Sequence, residues 1–138
     1  MDKKKIIKGL GIGLIIALIV LGVFYHKILR PVFKEHERVR SLTIENINLA
    51  EVKDGEYRGG FSYGEKTNIK VVVTVEAGEI VTFDIVENGS TDYAKKAAVG
   101  IKKEILKQQI NNVDIVSGAT TTSKAILKAV EIALNKGL

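Results

Sequence analysis

The chain contains no cysteine, which excludes disulfide frameworks, thiolate zinc sites and thiol nucleophiles. Tryptophan is absent too, proline occurs once, and histidine occurs twice, at His26 and His36. Beyond Ser41 there is neither histidine nor cysteine. A Ser-His-Asp triad, a histidine general base and a histidine-rich metal site are therefore not expected in that stretch. Chemistry carried there is expected to come from a bound organic cofactor. A disordered composition is also missing, because 46% of the 138 residues are hydrophobic and an ordinary 27% are charged. This length supports one small domain and an appendage, not two cores.

The net charge of +5 is unevenly placed. Residues 1–40 hold nine Lys/Arg against three Asp/Glu, whereas residues 41–138 hold twelve against thirteen. The later part has no cationic surplus to attract phosphate backbones, so nucleic acid is not an expected partner. All the surplus flanks one apolar segment.

That segment, Gly9 to Tyr25, runs 17 residues without a charge. Adding Ile6 and Ile7, with Lys8 snorkelling, gives about 30 Å of helix, one hydrocarbon thickness. A cleaved signal peptide is the competing reading, since Lys3, Lys4 and Lys5 make a suitable n-region. However, Leu21-Gly22-Val23-Phe24-Tyr25 lacks a small-residue cleavage site, and no cysteine is present for lipid attachment. The apolar residues go all round the helix, which disfavours a core helix. We expect an uncleaved single span over residues 1–26. Lys3, Lys4, Lys5 and Lys8 on one side balance Lys27, Arg30, Lys34, Arg38 and Arg40 on the other, so charge does not orient it. Pro31 is expected to end the helix, with residues 27–43, including Lys34-Glu35-His36-Glu37-Arg38, forming a solvated stalk.

Residues 44–138 read as a domain. Tyr57, Gly59, Phe61 and Tyr63 alternate with Glu56, Arg58, Gly60 and Ser62; Ile69, Val71, Val73 and Val75 alternate with polar positions; Val81, Phe83 and Ile85 repeat the pattern after the turn Glu76-Ala77-Gly78-Glu79. A first helix buries Ala94, Ala97, Ala98, Ile101 and Ile105, is capped by Ser90, Thr91 or Asp92, and breaks at Asn111-Asn112. Val113 to Val116 is expected to be a short extended piece. A second helix from about Thr120 to Asn135 buries Ile126, Val130, Ala133 and Leu134. The expected fold class is α+β: a small antiparallel sheet with two helices packed on it, preceded by a single N-terminal transmembrane helix.

Between the extended piece and the second helix stands Ser117-Gly118-Ala119-Thr120-Thr121-Thr122-Ser123. One reading is a tight turn and a hydroxyl N-cap. Five hydroxyls in seven residues exceed the needs of one cap, and free N–H groups at a helix start suit a phosphate. The spacing alone does not say which phosphate.

Ser117 to Thr122 resembles the flavinylation motif (S/T)-G-A-(S/T)-x-(S/T) of the FMN-binding domain family, with Asp114 three residues ahead. This family includes the C subunit of the sodium-translocating NADH:quinone reductase, the G subunit of the Rnf complex and small anchored flavoproteins of bacterial extracytoplasmic electron transfer. Asp54-Gly55-Glu56-Tyr57-Arg58-Gly59 is similar to the family's opening D-G-x-Y-x-G, and Ser123-Lys124-Ala125-Ile126 to its C-terminal end. The loop Glu87 to Asp92 departs from the E-T-P-G-type sequence of the large complexes, so no ring contact is carried over to Asn88, Ser90 or Thr91.

The resemblance implies FMN joined through a phosphoester to Thr122, with Thr120 the second choice and Thr121 at the variable position. A magnesium-dependent FMN transferase would install it from FAD. Ser117, Gly118 and Ala119 would shape the loop and donate to the phosphate, and Asp114 would serve transferase recognition or its metal. Tyr57, Phe61, Tyr63 and Tyr93 are candidates for an aromatic face on the ring. The implied function is a membrane-anchored electron carrier, a relay rather than a stand-alone catalyst. It would act between a membrane reductase and further redox carriers, in the bacterial cytoplasmic membrane with its domain outside the cytoplasm. The alternative is an anchored module of the same fold holding FMN or another phosphate ligand non-covalently, or no ligand. A hydrolase using Ser117 or Thr122, with only Lys124 to activate the hydroxyl, ranks last.

Overall fold

In the computed structural model, which describes residues 3–64, 67–88, 92–115 and 117–138, the period-two runs become three strands. They are β1 (Gly55–Tyr63), β2 (Thr67–Glu76) and β3 (Glu79–Asn88), paired antiparallel in the order β1-β2-β3. Ile69, Val71, Val73 and Val75 of β2 all face inward and are buried, as strict alternation requires of a sheet covered on one side. On β1 the same rule turns Gly59 and Tyr63 inward and leaves Arg58, Gly60 and Ser62 exposed.

β3 departs from the alternation expected of it. Thr74 pairs with Thr82 while the next residue, Val75, pairs with Ile80; likewise Val71 pairs with Ile85 and Lys70 with Glu87. Each break leaves one extra residue on β3, Val81 and then Val86, and a bulge resets which side chains point inward. Ile80 and Phe83 are buried, Ile85 is half-buried, and Val81 is exposed. The backbone of Ile80 is satisfied by Gln109, whose Oε1 accepts from Ile80 N–H at 2.7 Å and whose Nε2 donates to Ile80 O at 3.1 Å.

Two helices cover the inner face. Helix α3 (Asp92–Gln108) lies on β3, and α4 (Thr120–Leu134) lies on β1 and β2. Ala94, Ala97, Ile101 and Ile105 are buried on α3 as their spacing predicts. Helix α4 buries more than a stripe, adding Ala125, Leu127, Ala129 and Glu131 to the four expected residues. Its close approach depends on Gly59, where a Cβ would fall on the carbonyl oxygen of Ala129 and lie 2.7 Å from the Ala133 nitrogen. Asp54 and Tyr57 also serve the scaffold: Asp54 Oδ1 accepts from Ala77 N–H at 2.8 Å, and Tyr57 donates to Lys53 O at 2.6 Å. No strand forms at Val113–Ile115, although Val113 is buried.

The chain divides into two compact units, Met1–Glu35 and His36–Leu138. In the first, α1 (Lys3–Phe24) is followed by a π-helical turn, Tyr25–Leu29, and then by the start of α2 (Arg30–Arg40). Pro31 therefore does not end the helix. The π turn lets Arg30 N–H donate to Tyr25 O, and this shift of the hydrogen-bond ladder just ahead of Pro31 accompanies a helix that continues through it. Among the described residues one helix, Ile6–Arg40, is long and apolar enough to cross a membrane, and none of its most apolar window is buried.

The second unit reaches back to His36, ahead of the boundary expected at residue 44, and Val39 is fully buried in its core. The segment expected as a solvated stalk is thus partly built into the fold. Residues 42–47 follow as a strap held by side chains. Lys124 Nζ donates to Leu42 O (3.0 Å), Asn112 to Ile44 O (3.2 Å) and Asn111 to Glu45 O (2.6 Å). Asn111 Oδ1 accepts from Ile47 N–H (2.7 Å) and Glu131 from Glu45 N–H (3.1 Å). Asn111 is fully buried, so both ends of its amide are matched, as a buried amide demands.

Candidate functional site

The site is the first turn of α4, and its geometry follows from the turn before it. Gly118 takes φ of +80°, a left-handed conformation glycine adopts without a Cβ penalty. The chain then enters the helix through Ala119, which is buried and stands at the N-cap. The hydroxyls do not cap the helix as the turn reading supposed, since no side chain bonds at this cap. The first intrahelical bond is Ser123 N–H to Ala119 O at 2.8 Å. The N–H groups ahead of it have no helical partner, and no acidic residue lies in the first turn. This end of α4 is electrostatically positive and suited to an anion.

The threonines differ sharply. Thr121 is buried, with 8% of its surface exposed; its Oγ1 accepts from Arg40 Nε at 3.2 Å and lies 3.5 Å from His36 Nδ1. Thr120 and Thr122 are half-buried. Thr122 Oγ1 lies 3.2 Å from the Tyr63 hydroxyl in a shared hydrogen bond. His36 meets Tyr63 edge to face, with ring centroids 5.8 Å apart at 79°. Two pairs, Arg40–Thr121 and Tyr63–Thr122, are thereby joined through His36.

Of the expected site residues, Ser117 and Gly118 form the exposed turn and Ala119, Thr120, Thr121 and Thr122 open the helix. Asp114 is exposed and makes no hydrogen bond among the described residues. Tyr63 is brought to the site, whereas Tyr57 sits at the other end of β1 beside Gly137. Phe61 is half-buried under the Arg38 guanidinium, 5.9 Å from its ring centroid. Ser90 and Thr91 lie outside the described residues, as do the side chains of Asn88 and Tyr93. Lys124 is committed to Leu42 O, so it is not placed to activate Thr122.

Sequence reasoning missed His36 and Arg40 because it assigned them to the stalk. The signal was their spacing: His36, Val39 and Arg40 share one helix face at i, i+3 and i+4, and Val39 is buried.

The FMN-binding domain family matches residues 64–135, a stretch that contains β2, β3, α3 and all of α4 with the turn before it. An uncharacterised protein of Treponema pallidum (strain Nichols) is 35% identical over 96 residues, which cover 69% of this chain and 26% of that protein. An NADH:acrylate oxidoreductase of Vibrio harveyi is 34% identical over 104 residues, covering 73% of this chain and 10% of that protein. The chain spans about a quarter and a tenth of these relatives' lengths.

Proposed function

The chain belongs to the FMN-binding domain family, and on that premise we propose that it is a membrane-anchored electron carrier holding FMN as a phosphoester on Thr122. The residues present fit an anionic phosphodiester. The first turn of α4 offers N–H groups without a helical partner and no carboxylate, and Arg40 brings a positive charge to the neighbouring Thr121. Bound flavin supplies one- and two-electron redox chemistry that this cysteine-free chain lacks. The chain's own part is to bind and orient. The α4 N–H groups hold the phosphate charge, Gly118 shapes the approach, and Tyr63 fixes the Thr122 hydroxyl before attachment.

Thr122 Oγ loses its proton and bonds to the flavin-side phosphorus of FAD, AMP leaves, and the threonine carries riboflavin through one phosphodiester. A magnesium-dependent transferase supplies the base, and the exposed Asp114 is open to its approach. A covalent tether keeps the cofactor where FMN is not replenished, which accords with a domain outside the cytoplasm. The electrons come from a membrane reductase and pass to another carrier; the name of the Vibrio harveyi relative places a matching segment within an NADH-linked oxidoreductase.

The observation that carries this reading is a half-buried Thr122 in the first turn of α4, its hydroxyl bonded to Tyr63, at the modified position of the motif. The test is co-production with an FMN transferase, followed by intact-mass measurement and flavin fluorescence of the denatured band. Modified wild type and a blank Thr122→Val variant are expected. Flavin released intact by denaturation would assign non-covalent binding instead. Protease treatment of spheroplasts tests placement, with cleavage beyond Glu45 expected from the outside.

A further inference from the structure

Three consecutive threonines open α4, and their hydroxyls are chemically alike, so intrinsic reactivity cannot choose among them. Their surroundings can. We propose that His36 and Arg40, supplied by α2, are specificity-determining residues: they hold the Thr121 hydroxyl inward, so that flavin is attached to Thr122. This rests on Thr122 being the attachment residue.

The geometry gives each part of the cluster a separate task. The Thr121 oxygen accepts from the Arg40 guanidinium and has His36 on the same side, and its side chain is almost without contact with solvent. To attack FAD, this oxygen would have to give up a bond from a charged donor, turn outward, lose its proton and expel AMP from the flavin-side phosphorus. The donor is charged and the oxygen is buried, so giving up this bond raises the barrier for that route alone. Thr122 meets no such obstacle. Its partner is a neutral phenol, and its half-exposed position leaves an approach from solvent. The edge-to-face contact of His36 with Tyr63 couples the two tasks, because one imidazole both faces Thr121 and buttresses the ring that aims Thr122.

His36 and Arg40 are thus positioning residues that touch neither the phosphorus nor the flavin in order to choose the site. Their effect is on where the flavin goes. A merely structural role would lower the total flavin content without moving it.

The test uses the full chain co-produced with the FAD-dependent transferase and reads the modified residue by mass spectrometry of flavin-bearing peptides. Wild type is expected to carry flavin on Thr122, and T122V is expected to be blank. In H36Q/R40Q/T122V, flavin is expected to reappear on Thr121 at a tenth or more of the wild-type level, a gain of at least tenfold over T122V. Adding T121V should erase it. R40K/T122V keeps the charge and is expected to stay near blank. Should the triple variant fail to fold, H36Q/R40Q with Thr122 intact gives the same answer through a rise in the Thr121-to-Thr122 ratio.

A folded triple variant as blank as T122V, or one modified on Thr120, overturns the proposal while leaving Thr122 attachment standing. A wild-type chain without covalent flavin overturns both.

Discussion

Two helices of this chain draw on similar apolar residues and end in opposite surroundings. In α1, Leu14 and Leu21 are 66% and 69% exposed, whereas Ile126 and Leu134 of α4 are fully buried. The difference lies in what each helix offers a neighbour. Helix α1 is apolar on every side, without a stripe that could dock on a sheet, and its surface matches hydrocarbon. Helix α4 places Ala125, Ala129 and Ala133 four residues apart, all fully buried, and Gly59 opposite them lets backbone meet backbone. Small side chains permit the contact at α4, but α1 carries Gly9, Gly13 and Ala17 at the same spacing, so the difference is that α1 has no polar face to leave in water. The docked helix then presents its polar first turn as the candidate site.

The largest expected blow to this contrast is Gly59→Val. Its side chain must occupy the space of the Ala129 carbonyl, and overpacking against backbone should cost about 4 kcal/mol or abolish folding. The urea midpoint followed by near-ultraviolet circular dichroism measures it; an unchanged midpoint would mean that α4 does not sit as close as described. Next is Ile126→Ala, a large-to-small change at a fully buried site, expected to cost about 3 kcal/mol in the same measurement. Asn111→Ala should cost about 2 kcal/mol, because it orphans Ile47 N–H and Glu45 O beneath the strap. Hydrogen exchange should report the loss at residues 42–47 before elsewhere, and uniform acceleration would deny the strap a separate role. Smallest is Ile15→Ala in α1, where 57% of the side chain is exposed. It should shift unfolding of the His36–Leu138 unit by under ~0.5 kcal/mol. A shift comparable with Ile126→Ala would erase the distinction between the helices.

The sheet was legible because period-two burial is written in neighbouring residues: Ile69, Val71, Val73 and Val75 are all buried as their alternation predicts. In β3 the inward position is Ile80 and not Val81, since a bulge depends on pairing with β2 and leaves no mark in β3 alone. Pro31 misled for a related reason. Its chemistry disfavours a helix interior, but a π turn just ahead of it lets the helix run on through the position. At the site, Thr122 and its neighbours could be found from a local motif. Tyr63 was a candidate by residue type, but the pairings were not legible, because Arg40 and Thr121 are separated by 81 residues and Tyr63 and Thr122 by 59.

By itself, the amino-acid sequence determined an uncharged span, three strands, two amphipathic helices and a hydroxyl-rich turn at a helix start. Each is a pattern among residues close in the chain, and local backbone geometry reads it directly. Only the tertiary structure decided that Thr121 is held inward and Thr122 set against a phenol. Helix periodicity treats consecutive threonines alike until α2 and β1 arrive to surround them differently.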